Sequence, residues 1–477
     1  MLRTVTIGLL FLVVWSASPV WAHAFGVRYE LPIPLSLFLA GAAAAVGLSF
    51  LVVEWLPTPR CEASWSLRGV GRGNAGRVLG VLLQALSVLL LVTVVVSGLF
   101  GVQSATGNFA TVFTWIVGWV GLALFQALVG DVWSRLNPWA VVGRAVGALS
   151  ARCGAQGMPR PYPASLGYWP AVLLFLGVVW LELVAPWSEH PRTLAWLLLG
   201  YSLITWAAMS RFGVTAWLGR GDGVSLFLSL FGRFGAGAPA SGGGWSLRPW
   251  VVGLLDARPV PGSMVLFVMC LLATVSLDGF METTAWPALL EWLAAGPLQG
   301  AMLALQARGV NVLVWLESSA LVLVPWLFLA VYALCCALMA RFSGVGITTR
   351  EVACRFAFTL VPIAIGYHLA HYLSYLLLAG QLIIPRLSDP LGVGWDLFGT
   401  ANYAVDVTLM TARTAWYSAL VAIILGHACA VWLAHGVALR VFDSPRTARR
   451  GQWPMLVLMV AYTTLSLWIL AQPLVEG

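Results

Sequence analysis

The chain has 477 residues, 60% of them hydrophobic and 9% charged, with a mean hydropathy of +0.89 and a formal charge of +8. A soluble domain is about a quarter charged, so this composition excludes an ordinary soluble enzyme, a disordered chain and a coiled coil. All 26 basic residues are Arg; without Lys there is no Walker A phosphate loop, Schiff-base lysine or Ser–Lys dyad, each of which needs an amine.

Arg3, the apolar run Ile7 to Trp15 and the small residues of Val20-Trp21-Ala22 predict a secretory signal peptide over 1–22, with His23 as the mature N-terminus outside the cytoplasm. An uncleaved first helix gives the same topology. Ten further apolar stretches are long enough for a hydrocarbon core of ~30 Å: 33–56, 78–101, 109–130, 167–186, 193–210, 262–280, 312–340, 356–380, 412–437 and 454–473. The expected fold is an all-α polytopic integral membrane protein with about ten transmembrane helices, N-out and C-out. Residues 23–210 carry helices one to five, 211–261 a cytoplasmic or interfacial segment, and 262–477 helices six to ten. Within that segment, Val224–Phe231 is too short to span and is expected to lie in the interface or pack as a short helix, and 235–244 reads as a Gly/Ala/Ser-rich linker.

The arginines test this topology independently. Predicted inner loops hold 20 of them; outer loops of the mature chain hold five, Arg28, Arg192, Arg308, Arg386 and Arg413. That asymmetry is the positive-inside pattern of a polytopic membrane protein. The basic charge is an orientation signal, so the implied partner is the lipid bilayer, with a partner membrane subunit or periplasmic protein left open, and not nucleic acid. None of the seven Cys falls in a predicted outer loop, so no disulfide framework is expected there.

Chemistry is expected where polar residues occupy costly positions in the membrane. His368 and His371 stand three apart, on one helix face, after Pro362 and Gly366; His427 and His435 lie on the next span, about 12 Å apart. Such a set suits a divalent metal, zinc or copper, with His368, His371 and His427 as ligands, a bis-His haem between helices, or hydrogen-bonded helix packing. His23, if exposed by cleavage, adds an amine and an imidazole that suit copper. Glu182, Asp278 and Glu317 fall near predicted outer helix ends, with Glu282, Asp389, Asp396 and Asp406 in the loops beside them. They offer metal ligands, imidazole partners or bases, or are simply solvated or paired with Arg386 and Arg413. Asp131 reads as a cap for the following segment. The H-E-x-x-H, H-x-H and G-x-S-x-G patterns are absent.

Several segments together resemble a bacterial family of polytopic membrane proteins often labelled fenitrothion hydrolase, after an organophosphate-degrading membrane enzyme. They are His23-Ala24-Phe25-Gly26 with Tyr29 and Leu31-Pro32, Asn137-Pro138-Trp139, Ser276-Leu277-Asp278-Gly279, Gly366 to Tyr375, Ser388-Asp389-Pro390 and Gly394 to Thr400. The resemblance implies a metal-dependent hydrolase of organophosphate-like esters. His368, His371 and His427 would then hold the ion, with Asp278 or Asp396 orienting water. Two other classes stay open: a haem- or copper-binding redox subunit of a membrane complex, and a proton- or ion-coupled transporter using the same His and carboxylates.

Overall fold

A computed structural model describes residues 34–53, 65–67, 74–154, 159–239, 244–344, 346–442 and 444–472. The signal-peptide expectation and His23 lie outside them. The described residues are all-α but for one small sheet, and eight of their helices are long and apolar enough to cross a membrane. These are α2 (Asn74–Phe100), α3 (Phe109–Val129), α6 (Pro191–Phe212), α9 (Gly262–Met281), α12 (Val312–Ser343), the run Thr349–Ser388, α15 (Ala412–Val441) and α16 (Pro445–Ala471). Each coincides with an expected span. The other two expected spans are shorter apolar helices, α1 (Leu35–Val53) and α5 (Trp169–Leu183). At 1.5 Å per residue α5 is only ~22 Å long.

One apolar element was not anticipated. Between α9 and α12, α10 (Ala285–Ala295) and α11 (Gln299–Ala307) form a pair bent by 87°. Contacts fix where it begins and ends. Near the C-terminal end of α5, Glu182 shares a hydroxyl with Asp278 near the C-terminal end of α9. Two residues earlier, Trp180 donates to Ser318 near the start of α12. The bent pair therefore leaves and rejoins the bundle at one level.

The segment 211–261 is also more ordered than its composition suggests. After α4 (Pro138–Arg152) and α6, it forms α7 (Val214–Arg220) and then α8 (Gly223–Phe234), most of which is buried. Asp222 caps α8 by accepting from the Ser225 N–H at 2.7 Å. Its buried carboxylate also accepts from Tyr201 Oη at 2.6 Å. Asn137 caps α4 through Ala140 N–H and donates to Ser225 Oγ at 2.9 Å, while Trp133 donates to the same hydroxyl. Asn137-Pro138-Trp139 is thus a docking corner for α8. The Gly-rich linker is partly strand: β2 (Gly237–Pro239) and β3 (Trp245–Leu247) pair antiparallel, and β3 also pairs with β1 (Trp65–Leu67).

In the run Thr349–Ser388, α13 (Thr349–Phe356) leads through a 3-10 turn, Ala357–Leu360, into α14 (Val361–Leu378). Pro362 sits in the first turn of α14, where a missing N–H costs least. The helix is therefore intact around its histidines, not broken. Close approach of α14 and α15 rests on two glycines. A Cβ at Gly366 would stand 2.6 Å from the Ala422 carbonyl oxygen, and one at Gly426 2.7 Å from that of Pro362. Small residues let membrane helices pack backbone to backbone.

Candidate functional site: a buried carboxylate–tyrosine–histidine cluster

Tyr372 is the hub. It lies four residues after His368 and one after His371, so α14 presents all three toward α9, α5 and α8. Its hydroxyl lies 2.6 Å from Asp278 Oδ2 and 3.1 Å from Glu182 Oε1. The same Asp278 oxygen lies 2.9 Å from His371 Nε2, whose other ring nitrogen is 3.9 Å from Glu282 Oε2. Asp278 and Tyr372 are 4% and 6% exposed. Gly279 leaves the space: a Cβ there would lie 3.8 Å from His371 Nδ1 and 3.3 Å from Ile469.

A single O–H hydrogen can be donated to one carboxylate only. For Tyr372 to bond both Asp278 and Glu182, it must donate to one and accept from the other, and the accepted bond needs a protonated carboxyl. The arrangement suits three acidic groups sharing protons beside an imidazole.

The third span contributes through an unusual winding. In α3, Val112–Gly121 is a π-helix, with the Leu122 N–H donating to Val117; such winding often marks functional positions. It carries Trp119, which lines a small cavity together with Glu182, His368 and Tyr372. His368 is 5% exposed, and its Nε2 has no hydrogen-bond partner. Phe231 of α8 meets the ring edge-on at 90° and 5.5 Å, with Phe227 at 5.9 Å. A cavity of about 30 Å³ separates these groups, lined by Glu182, His368 and Tyr372 among aromatic side chains. That is room for one or two waters.

The expected histidines do not converge. The Tyr372 ring packs on both imidazoles, 4.7 Å from His368 and 4.6 Å from His371. His371 turns to the carboxylates of α9 and His368 to the phenylalanines of α8. His427 lies elsewhere: its Nδ1 is 2.8 Å from the Ile423 carbonyl and its ring 5.7 Å from that of Tyr462. Tyr462 is 2.6 Å from Ser276, whose own hydroxyl donates to Leu272. His435 is 3.3 Å from Gln452 Oε1 and ties α15 to α16. Among the described residues no group of three or more His, Cys, Asp or Glu is arranged to hold a metal ion. The residues present therefore do not fit the His368–His371–His427 metal site expected from spacing.

Asp278 stands at the centre of the cluster, whereas Asp396 does not join it. Asp396 is an exposed loop residue accepting from Ser388 Oγ and from the Thr400 and Ala401 N–H groups. Asp389 caps the N–H groups of Gly394 and Trp395, and Asp406 those around Thr408. These outer acids order their own loop. Asp131 accepts from the Ser134 N–H at 3.2 Å, but the N-cap position of the turn Trp133–Leu136 is Val132, so Asp131 stands one residue before the cap expected of it. Spacing alone did not single out Tyr372, although its place four residues after a buried His on one helix face was the available signal. No family model, curated protein or solved structure matches the chain.

Proposed function

We propose that the chain is a proton-coupled membrane transporter, N-out and C-out in a bacterial inner membrane, whose Asp278–Tyr372–Glu182 cluster takes up and hands on protons with His371 and His368. One observation carries this reading: a single tyrosine hydroxyl within bonding distance of two carboxyl groups, one of which also touches an imidazole. Ionisable groups in a membrane interior are costly and mark ion or proton pathways. The Arg asymmetry supports the orientation, which puts the cluster in the outer half of the bundle, with the phenylalanines of α8 on its inner side.

The test is proton flux. Protein reconstituted in proteoliposomes with an internal pH dye is expected to pass protons under an imposed potential. Asp278→Asn or His371→Gln should lower that flux about tenfold or more. Wild-type vesicles no leakier than empty ones would overturn the reading.

Hydrolysis of organophosphate-like esters, which the resemblance implies, remains the alternative. It requires a resident metal that the described residues do not gather. Metal analysis and a visible spectrum of the purified protein decide the matter. One zinc or copper per chain, lost in His368→Ala/His371→Ala, would favour the hydrolase, and a Soret band a redox subunit.

A further inference from the structure

A second site lies at the opposite end of α9. Asp256 to Pro259, just before α9, border a cavity of about 730 Å³, within the ~300–1,000 Å³ common for ligand pockets. Asp278 is 16 residues further along from Gly262, or ~24 Å on a helix, so the two sites are separate. Four arginines from four parts of the chain line this cavity: Arg248 after β3, Arg258 before α9, Arg355 at the end of α13 and Arg440 at the end of α15.

Their side chains are held in place. Arg248 donates to the carbonyls of Gly232 and Arg233, closing the C-terminal end of α8. Its guanidinium lies flat on Gly253, where a Cβ would come within 2.3 Å of it. Arg355 donates to the Ala257 carbonyl at 2.9 Å and to Glu351 at 2.8 Å; Arg440 donates to the Leu255 carbonyl. Arg258 pairs with Asp256 at 2.7 Å. The lining holds four guanidinium groups and one carboxylate, Asp256, while Glu351 pairs with Arg355 beside it. A positive-inside bias explains arginine on this side of the membrane. It does not explain four of them, up to 192 positions apart (440 minus 248), meeting at one cavity.

We propose that this cavity binds a phosphate-bearing anion, taken either from the headgroup of an acidic phospholipid or from a free phosphate ester. Guanidinium forks match phosphate oxygens bidentately, and basic pockets between helices on the inner side suit anionic headgroups. Arg258 and Arg440 are the exposed arginines of the lining, and Arg248 and Arg355 the part-buried ones.

Full-length protein in neutral detergent, titrated with dioctanoyl phosphatidic acid and followed by native mass spectrometry and thermal melting, tests the proposal. The wild type is expected to bind it, and Arg258→Gln/Arg440→Gln to bind about tenfold or more weakly. Dioctanoyl phosphatidylcholine should show no comparable binding. Competition by glycerol 3-phosphate at similar concentration would assign the site to a free ester, and its failure to compete would assign it to lipid. Equal binding by the double variant, or no preference over phosphatidylcholine, would overturn the proposal. The ligand-free melting temperature of the double variant, expected to match the wild type because both side chains are exposed, separates lost binding from lost folding; Gly253→Ala, which displaces Arg248, should weaken binding independently.

Discussion

Tyr372 decides what the cluster does, residue by residue. Its hydroxyl bonds both carboxyls, so removing it takes a shared partner from two buried acids. Tyr372→Phe should destabilise the protein by ~1–3 kcal/mol, the usual cost of an orphaned buried polar group. Asp278→Asn in the same chain should recover part of that loss, because the amide carries no charge. A double-mutant cycle by thermal denaturation in detergent checks this, and additive effects would mean that the two side chains do not act together. Much of this site was legible in the sequence. The scarcity of charge pointed to Asp278, Glu182, His368 and His371, since a membrane interior tolerates few such groups. Missing was their direction: helical spacing puts His368 and His371 on one face but cannot say that a tyrosine ring separates their neighbours. His427 looked like a third ligand for the same reason, and its helix instead turns it toward Tyr462.

At the scale of elements, the long apolar helices were readable because a run of ~20 apolar residues has few other uses. The shorter pieces were not. The buried helix α8 carries the apolar pattern of a helix that could rest on the surface, and only its contacts with Phe175, Trp119 and His368 show it inside. Its cap has a pH signature. Burial pushes the Asp222 carboxyl up, against the opposing hydrogen bonds from Tyr201 and Ser225. A carboxyl that keeps its proton to higher pH when folded than when unfolded makes stability fall as pH rises from the ordinary value of 3.8 through the raised one. Asp222→Asn should flatten the part of the melting-temperature profile that lies above pH 3.8; an unchanged slope would assign the effect to another acid. The corner at Asn137 is the matching structural test. Asn137→Ala should cost ~1–3 kcal/mol, measured by denaturation, since it loses both a cap and the bond to Ser225.

For the whole molecule, the question is which way the bundle faces. Cys153 is exposed after α4, on the side that the arginines mark as inner. With Cys61 replaced by Ser, a membrane-impermeant maleimide should label the protein in inverted vesicles and not in intact spheroplasts. Ala401→Cys, in the loop ordered by Asp396, should label in the opposite pattern. The π winding of α3 and the bent pair α10–α11 had no readable sequence signal, because neither changes the apolar content of its segment. They follow from packing against the rest of the bundle.

The glycine contact between α14 and α15 has a mechanical consequence. With each backbone seated against the other, neither helix can slide past its partner by even one residue without driving Cα or carbonyl atoms together, so the two move as a single lever. Gly366→Ala should therefore pry this lever apart and cost ~1–3 kcal/mol, whereas Gly177→Ala in α5, with open space around it, should not. Whatever opens the path to Tyr372 must then come from the seams this lever shares with its looser neighbours. One of these is the edge where two phenylalanines of α8 rest on His368.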